Sequence, residues 1–314
     1  MTDVRRDVLA CIGNTPLLAL RSIPPKTGAR ILLKLESENP TGSMKDRMAF
    51  AMIEAAEADG RLKTGGTVVE YTGGSTGVSL SLVCAVKRYP LHIVTSDAFT
   101  KEKLDHMRLL GAKLTIVPSD AGRMTEKLTR DMIEKARVVT AETGGFWTDQ
   151  LNNGDQLRAY DKLADEIWTQ TGGAIEGFVQ SVGTAASLRG TGEALRRRNA
   201  RIRIVAVEPA ESPVLSGGTA GAHKIDGIGV GFVPPLWRDG VADAIEAVST
   251  TDATTMALRL AREEGIFAGT STGANVAAAL RLAEKLGSDA TIVTIMADTG
   301  MKYLKTFGAV IAAD

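Results

Sequence analysis

The segment Asn39-Pro40-Thr41-Gly42-Ser43-Met44-Lys45-Asp46-Arg47 combines a turn with the start of a helix. Its proline and glycine indicate a turn after the strand-like run 31–35, and Ser43 is a candidate N-cap for the apolar-periodic stretch 44–58. Lys45 falls in the first helical turn, where the helix dipole disfavours a cation and so favours the neutral, nucleophilic amine. A lone lysine in this position is more often a solvated surface residue, and only the rest of the chain decides between these interpretations.

The composition is typical of a globular protein without a large net charge. The chain has 314 residues, 44% hydrophobic and 24% charged, and Lys+Arg equals Asp+Glu at 37 each. This balance gives no electrostatic reason to expect nucleic acid or an anionic membrane as a partner. We see no secretory leader and no apolar stretch long enough to cross a bilayer, so we expect a cytoplasmic location. The two cysteines do not make a disulfide framework, and the three histidines lack metal-ligand spacing, so we expect no metal site.

Strand-like and helical patterns alternate along the chain. The strand-like runs are nearly continuous in Val, Ile and Leu, which is typical of strands buried on both faces of parallel sheets; they cover residues 30–36, 67–71, 92–95, 113–117, 177–181, 203–207 and 291–296. Helical patterns between them cover residues 76–88, 101–110, 125–136, 155–169, 253–264 and 274–286. The alternation predicts an α/β fold with right-handed crossovers. We expect a boundary near residues 144–153, and the Gly- and Pro-rich stretch 209–235 is long enough to predict a functional loop.

Three turns rich in glycine and hydroxyl side chains stand where a strand ends and a helix begins, which is where open α/β sheets bind ligands. The turn at 70–77 suits a carboxylate, the turn at 183–187 suits a phosphate, and the turn at 269–274 opens another helix. None of them fits the dinucleotide fingerprint or ends in the Gly-Lys-Ser/Thr of a nucleotide-binding loop. Phosphate binding without a nucleotide signature, together with a lysine at a helix start, indicates pyridoxal 5'-phosphate as the cofactor.

In this order the motifs resemble those of the cysteine synthase and cystathionine β-synthase family of fold type II enzymes, which depend on pyridoxal phosphate. The resemblance runs from Ile12-Gly13-Asn14-Thr15-Pro16-Leu17 to Asp298-Thr299-Gly300 and covers nearly the whole chain. It implies two three-layer α/β domains with twisted, mostly parallel sheets, as in the tryptophan synthase β-like enzymes. The smaller, mobile domain would comprise residues 46–150, and the larger, phosphate-binding domain residues 1–45 plus 151–314. The resemblance also implies a homodimer.

The same resemblance assigns the cofactor contacts. Lys45 would hold the cofactor as an internal aldimine and later move protons at the substrate Cα. Ser271 would hydrogen-bond the pyridine nitrogen, and Ser75 would lie beside the ring hydroxyl. The family's phosphate loop, in which two alanines here replace glycines, falls on Gly183, Thr184, Ala185, Ala186 and Ser187.

The substrate loop is where this chain departs from the family. The substrate-binding residues implied by the resemblance are Thr72, Gly73, Gly74, Ser75, Thr76, Gln150 and Gly227. The family's loop is usually Thr-Ser-Gly-Asn-Thr-Gly, so Gly73 replaces a serine that helps to bind the carboxylate and Ser75 replaces an asparagine. The shorter serine would reach the ring hydroxyl only through a small shift or a water. Losing one such contact typically costs roughly 1 kcal/mol, which indicates altered specificity rather than inactivation.

The resemblance implies β-replacement on a serine-derived amino acid through an α-aminoacrylate, with a small nucleophile. The main expectation is a cysteine synthase that converts O-acetylserine and sulfide into cysteine and acetate. Val230 favours the cysteine synthases over the cystathionine β-synthases, since the latter tend to carry a tyrosine at this position. Three alternatives stay open: β-elimination by a serine or threonine dehydratase or a cysteine desulfhydrase; another nucleophile, as in cystathionine β-synthase-like or diaminopropionate-type enzymes; and a non-catalytic relative, which the presence of Lys45 and Ser187 disfavours.

Overall fold

The computed structural model describes residues 4–24, 28–122 and 125–311, and the chain divides into two compact units. Unit 1 contains Met1–Gly13 and Asn39–Ala159, and unit 2 contains Asn14–Glu38 and Tyr160–Asp314. This division assigns residues 1–13, 39–45 and 151–159 to unit 1, whereas the family resemblance implied that these residues belong to the larger domain.

Strands and helices alternate through both units. The described residues form ten strands: β1 (Leu17–Ala19), β2 (Arg30–Leu35), β3 (Val68–Tyr71), β4 (Leu91–Ser96), β5 (Lys113–Val117), β6 (Phe146–Trp147), β7 (Gly177–Ser181), β8 (Arg203–Pro209), β9 (Ala244–Val248) and β10 (Thr291–Met296). They also form nine α-helices: α1 (Lys45–Asp59), α2 (Ser75–Lys87), α3 (Lys101–Leu109), α4 (Glu126–Thr143), α5 (Leu157–Thr171), α6 (Ala186–Arg198), α7 (Thr250–Glu264), α8 (Thr270–Leu286) and α9 (Leu304–Ile311).

Unit 1 is built on a four-stranded parallel sheet in the order β5-β4-β3-β6. All residues of β3 and β4 are buried, as expected of central strands covered on both faces. A core cluster forms where Val69 and Val94 of these strands meet Met132 and Val139 of α4. Because the strands are parallel, their carboxyl ends share one edge of the sheet, and β3 leads there into the loop before α2.

Unit 2 is built on a six-stranded sheet in the order β1-β2-β10-β7-β8-β9. Only β1 runs antiparallel to its neighbour, and the other strand pairs are parallel. The core is aliphatic, and the helix α8 contributes several fully or nearly fully buried alanines, namely Ala274, Ala277, Ala278, Ala279 and Ala283. These small side chains let α8 lie close to the sheet.

The predicted α/β fold with mostly parallel sheets is confirmed. Each predicted strand overlaps an observed one, with ends that agree within two residues. The sequence did not predict β1, β6 or β9, which are two- to five-residue strands with a neighbour on one side only. No helix among the described residues is long and apolar enough to cross a membrane.

A buried ion pair ties β2 to α5 within unit 2. Lys34 is fully buried, and its Nζ lies 2.7 Å from Glu166 Oε2. The ammonium also donates to the carbonyl of Thr15 at 2.6 Å and to Oε1 of Gln170 at 2.8 Å. A carboxylate and two neutral acceptors thus lie around the buried charge.

Glu166→Ala should destabilise the protein by about 3 kcal/mol, because it removes a carboxylate that lies 2.7 Å from a fully buried ammonium. Glu263→Ala, which removes a carboxylate from an exposed pair with Arg259, is the control and should have little effect. The measurement is chemical denaturation of both variants and the wild type. Equal midpoints for the two variants would contradict this account of Lys34.

Candidate active site

The turn before α1 is fixed by the carboxylate of Asp46. Thr41 donates its backbone N–H to Asp46 Oδ2 at 2.8 Å and its hydroxyl to Oδ1 at 2.5 Å. Gly42 has φ 74°, in the left-handed region that favours glycine. Asn39 Oδ1 accepts from the backbone N–H of Gly13 at 2.8 Å. The segment that the sequence singled out is thus held at both its start and its end.

Lys45 is the first residue of α1, as the sequence predicted for its place in the helix. The predicted N-cap is wrong by one residue: Met44 is the N-cap and provides no side-chain hydrogen bond. The Ser43 hydroxyl nevertheless accepts from the Lys45 backbone N–H at 3.3 Å, because the turn places it beside the helix start. The Lys45 side chain is half-buried, while its neighbours Asp46 and Arg47 are buried.

The loop between β3 and α2 is joined to Gln150. Thr76 donates its hydroxyl to Gln150 Oε1 at 2.8 Å, and Gln150 Nε2 donates to the Tyr71 carbonyl at 3.2 Å. Within the loop, the Gly74 backbone N–H donates to Thr72 Oγ1 at 3.2 Å. Gly74 is the N-cap of α2 and provides no side-chain cap. The structure therefore brings the predicted loop residues and Gln150 together at a helix N-terminus, where backbone N–H groups attract a carboxylate.

The buried carboxylate of Glu70, which the sequence analysis did not single out, binds both the end of β3 and the segment that contains Gln150. It accepts from the Tyr71 backbone N–H at 2.8 Å, the Thr148 hydroxyl at 2.7 Å, the Gln150 backbone N–H at 2.9 Å and Trp147 Nε1 at 3.4 Å. Burial raises the pKa of Glu70 to about 7, and these hydrogen bonds only partly oppose it. The sequence signal that could have identified Glu70 was an acidic residue within an otherwise apolar strand.

In unit 2, the loop between β7 and α6 has the geometry of an anion site. Its N-cap, Ala185, has φ 70° and offers no side-chain cap to α6. A left-handed residue followed by a helix start turns successive N–H groups into one concave surface. An alanine in this conformation costs about 1 kcal/mol, so the loop is strained. At Gly183 an added Cβ would lie 2.6 Å from the Gly227 carbonyl oxygen, which leaves room for glycine only. The loop therefore fits a phosphate.

A hydrogen-bonded chain of amides links this loop to α8. Gln180 Nε2 donates to the Ser187 hydroxyl at 3.3 Å, and Gln180 Oε1 accepts from Asn275 Nδ2 at 3.0 Å. Asn275 Oδ1 accepts from the Ser181 backbone N–H at 2.7 Å. Asn275 lies one turn after Ser271 on α8, and Ser271 is only 4% exposed. Two of the three predicted cofactor serines, Ser187 and Ser271, thus lie on helices that share one buried network.

The long Gly- and Pro-rich loop lies between the same two helix starts. The Gly229 backbone N–H donates to the Val182 carbonyl at 3.0 Å, and the Asp226 backbone N–H donates to Thr270 Oγ1 at 3.2 Å. Gly227 is exposed, with φ 82° and open space around an added Cβ. The predicted site residues therefore form two groups, one in each unit: Lys45 with the loop 72–76 and Gln150 in unit 1, and the loop 183–187 with Ser271 and Gly227 in unit 2.

Glu70→Gln should reduce the pH dependence of stability. The pKa of Glu70 in the folded protein, about 7, lies above its ordinary value of 4.5, so the folded state binds this proton more strongly than the unfolded state. Its contribution to stability is complete below about pH 4.5 and is lost as the pH rises through about 7, by on the order of 3 kcal/mol.

The measurement is urea unfolding of wild type, Glu70→Gln and the exposed control Glu142→Gln between about pH 5 and pH 7.5. Wild type and the control should lose more stability across this range than Glu70→Gln. Parallel curves for all three proteins would show that Glu70 does not titrate in this range.

Comparisons with known proteins agree with this geometry. The family model described as "Pyridoxal-phosphate dependent enzyme" matches residues 8–298. The cysteine synthase of Staphylococcus aureus is 38% identical over 302 residues, which cover 96% of each chain, and the probable cysteine synthase of Bacillus subtilis is 40% identical over 300 residues, 94% of each chain. The crystal structure of a cysteine synthase from Entamoeba histolytica has a TM-score of 0.91 and 36% identity, over 96% of this chain and 90% of that chain. The predicted resemblance and cofactor are confirmed, and the chain belongs to the family of pyridoxal-phosphate dependent enzymes.

Proposed function

We propose that this protein is a cysteine synthase that replaces the acetate of O-acetylserine with sulfide. The observation that carries the proposal is the fixed turn that begins α1 at Lys45, in a chain whose relatives described above are named cysteine synthases. β-Elimination and replacement by a different nucleophile are less favoured, because the curated relatives at 38% and 40% identity are both named cysteine synthases. Solved structures named for other reactions, an O-ureido-L-serine synthase, a hydrogen sulfide-producing enzyme and an O-acetylserine dependent cystathionine beta-synthase, have lower identities of 34%, 34% and 31%.

The residues of unit 2 fit the phosphate and ring of the cofactor. We assign the phosphate to the start of α6, where five residues offer backbone N–H groups and hydroxyls: Gly183, Thr184, Ala185, Ala186 and Ser187. Ser271 would hydrogen-bond the pyridine nitrogen, and Ser75 of unit 1 would interact with the ring hydroxyl. When bound, pyridoxal phosphate withdraws electrons from the substrate, which acidifies the Cα proton and lets the β-substituent leave.

The substrate carboxylate is assigned to the start of α2. The loop residues 72–76 end at a helix N-terminus without a side-chain cap, where N–H groups and the dipole favour an anion. Gln150 uses one amide hydrogen on the Tyr71 carbonyl, which leaves the second for the carboxylate. Gly227 would lie near the substrate amine.

Lys45 is assigned the covalent attachment of the cofactor and the proton transfers. Its Nζ would remove the proton from the substrate Cα while acetate leaves Cβ with the bonding electrons. After sulfide adds at Cβ, Lys45 would return a proton to Cα. The N-terminal end of α1 disfavours a charged ammonium and so helps Lys45 to act as a base.

The cellular setting and the assembly belong to the same proposal. We propose a cytoplasmic homodimer that acts on a small amino acid and a small nucleophile, in which a smaller domain at residues 46–150 moves during turnover. The two cysteines, Cys11 and Cys84, are both unpaired, which agrees with a reducing compartment.

Lys45→Ala should lower the rate of cysteine formation at least about 10³-fold, because it removes both the covalent anchor and the base. The assay supplies O-acetylserine and sulfide and measures cysteine, acetate and keto acid together. Lys63→Ala, at an exposed lysine of the same unit, is the control and should keep wild-type activity. Keto acid without cysteine from the wild type would favour β-elimination, and the absence of any product would contradict the proposal.

Gly183→Ala should weaken pyridoxal phosphate binding at least about tenfold, since a Cβ 2.6 Å from the Gly227 carbonyl forces the phosphate loop to move. Gly308→Ala is the matched control, because an added Cβ there meets nothing within 4 Å. The dissociation constants come from titration of cofactor-depleted protein, followed by the visible absorbance of the bound cofactor. Equal constants for the two variants would place the phosphate elsewhere.

A further inference from the structure

The substrate loop of unit 1 contains a steric restriction that its own sequence does not reveal. A Cβ added at Gly73 would overlap the ring of Phe99, at Cγ, Cδ2 and Cε2. At the neighbouring Gly74 an added Cβ would meet nothing within 4 Å. The Phe99 ring therefore fills the space that any side chain at residue 73 would need.

Phe99 is held in this position by the turn between β4 and α3. Its backbone N–H donates to the Ser96 carbonyl at 3.3 Å, and the Ser96 hydroxyl accepts from the Ala98 N–H at 3.2 Å. The next residue of the turn, Asp97, accepts from the Ser119 N–H at 2.7 Å. The ring also packs against the core cluster of unit 1 that contains Val69. Because the turn fixes the Phe99 backbone, moving the ring away from Gly73 would remove it from this packing and expose apolar surface.

The ring changes the chemistry of the loop. In the resembled family a serine at this position offers a hydroxyl to the substrate carboxylate, whereas a phenyl ring offers no hydrogen-bond donor. The Thr76 hydroxyl already donates to Gln150. The Thr72 hydroxyl accepts from the Gly74 N–H and keeps its own proton to donate. Apart from the Ser75 hydroxyl, which is assigned to the cofactor ring, the donors of this loop are therefore backbone N–H groups and the Thr72 hydroxyl.

We infer that Phe99 determines how the loop binds the substrate carboxylate: its ring replaces the side chain at position 73 and makes carboxylate binding depend on the backbone of the loop. The inference rests on the proposed function, because it assumes that the loop binds an amino-acid carboxylate. Phe99 and Gly73 are then coupled, and changing either residue alone impairs the packing or the hydrogen bonding of the loop. Gly73→Ser alone forces the Phe99 ring aside. Phe99→Ala alone empties the space of the ring but adds no hydrogen-bond donor for the substrate carboxylate.

The test is a double-mutant cycle of Gly73→Ser and Phe99→Ala in the full-length chain, read first by melting temperature. Gly73→Ser should lower the melting temperature by several degrees in the wild type and by much less in the Phe99→Ala background. Gly74→Ser is the control for adding a side chain to this loop, and its melting temperature should be unchanged or higher, since serine is a good N-cap. If Gly73→Ser costs the same with and without Phe99, the steric coupling is refuted.

The second readout is the KM for O-acetylserine in cysteine formation. Gly73→Ser/Phe99→Ala should have a KM about tenfold below that of Phe99→Ala, the usual effect of one added hydrogen bond to a charged group. An equal KM for these two variants would refute the role in carboxylate binding, even if the melting temperatures show coupling. If the wild type makes no cysteine, the proposed function fails, while the melting temperatures still decide whether Phe99 and Gly73 are coupled.

Discussion

Backbone N–H groups at the starts of helices are the constraint on which the site depends. The first N–H groups of every helix lack a partner within the helix, and in α4 and α7 the side chains of Thr125 and Ser249 supply one. The helices α2, α6 and α8, which begin at the three predicted turns, have no side-chain cap. The helix α3 has none either, so the absence alone identifies no site. For α6 the absence of a side-chain cap gains meaning from the strained Ala185 and the closely packed Gly183 in the loop before it.

Buried polar groups keep these helix starts in position. In unit 1 the carboxylate of Glu70 joins the end of β3 to Gln150, although burial opposes its charge. In unit 2 Asn275 joins β7 to α8 and reaches Ser187 through Gln180. Each of these polar groups would be costly to bury without partners, and each is hydrogen-bonded in the structure. Such a network favours a rigid site. The departures from the family, Gly73 and Ser75, lie at the start of α2, where we propose that they alter contacts to the substrate.

The sequence predicted most of the fold because its signals are local. Continuous runs of Val, Ile and Leu marked the central strands, and the nine residues around Lys45 contain both the turn and the helix start. The parts that were missed depend on residues far apart in the chain. The role of Glu70 depends on Thr148 and Gln150, which follow it by about 80 residues. The space beside Gly73 is filled by Phe99, which belongs to the next strand–helix connection.

Other misses arise from backbone geometry. Nothing in the residue types indicated that Ala185 adopts φ 70°, a conformation usually reserved for glycine. The N-cap of α1 shifted by one residue because the turn continues through Met44. The edge strand β9 pairs on one side only and has a partly exposed sequence, so its pattern resembles that of a loop.

Covalent attachment at Lys45 is the central claim, and reduction followed by peptide mapping tests it most directly. The protein is reconstituted with pyridoxal phosphate, reduced with borohydride, digested with trypsin and analysed by mass spectrometry. Because a modified lysine resists cleavage, the account predicts a phosphopyridoxyl group, the cofactor after loss of its aldehyde oxygen and reduction, on the peptide spanning residues 35–47, with Lys45 as the modified residue. Modification at a different lysine, or none after reconstitution, would contradict it.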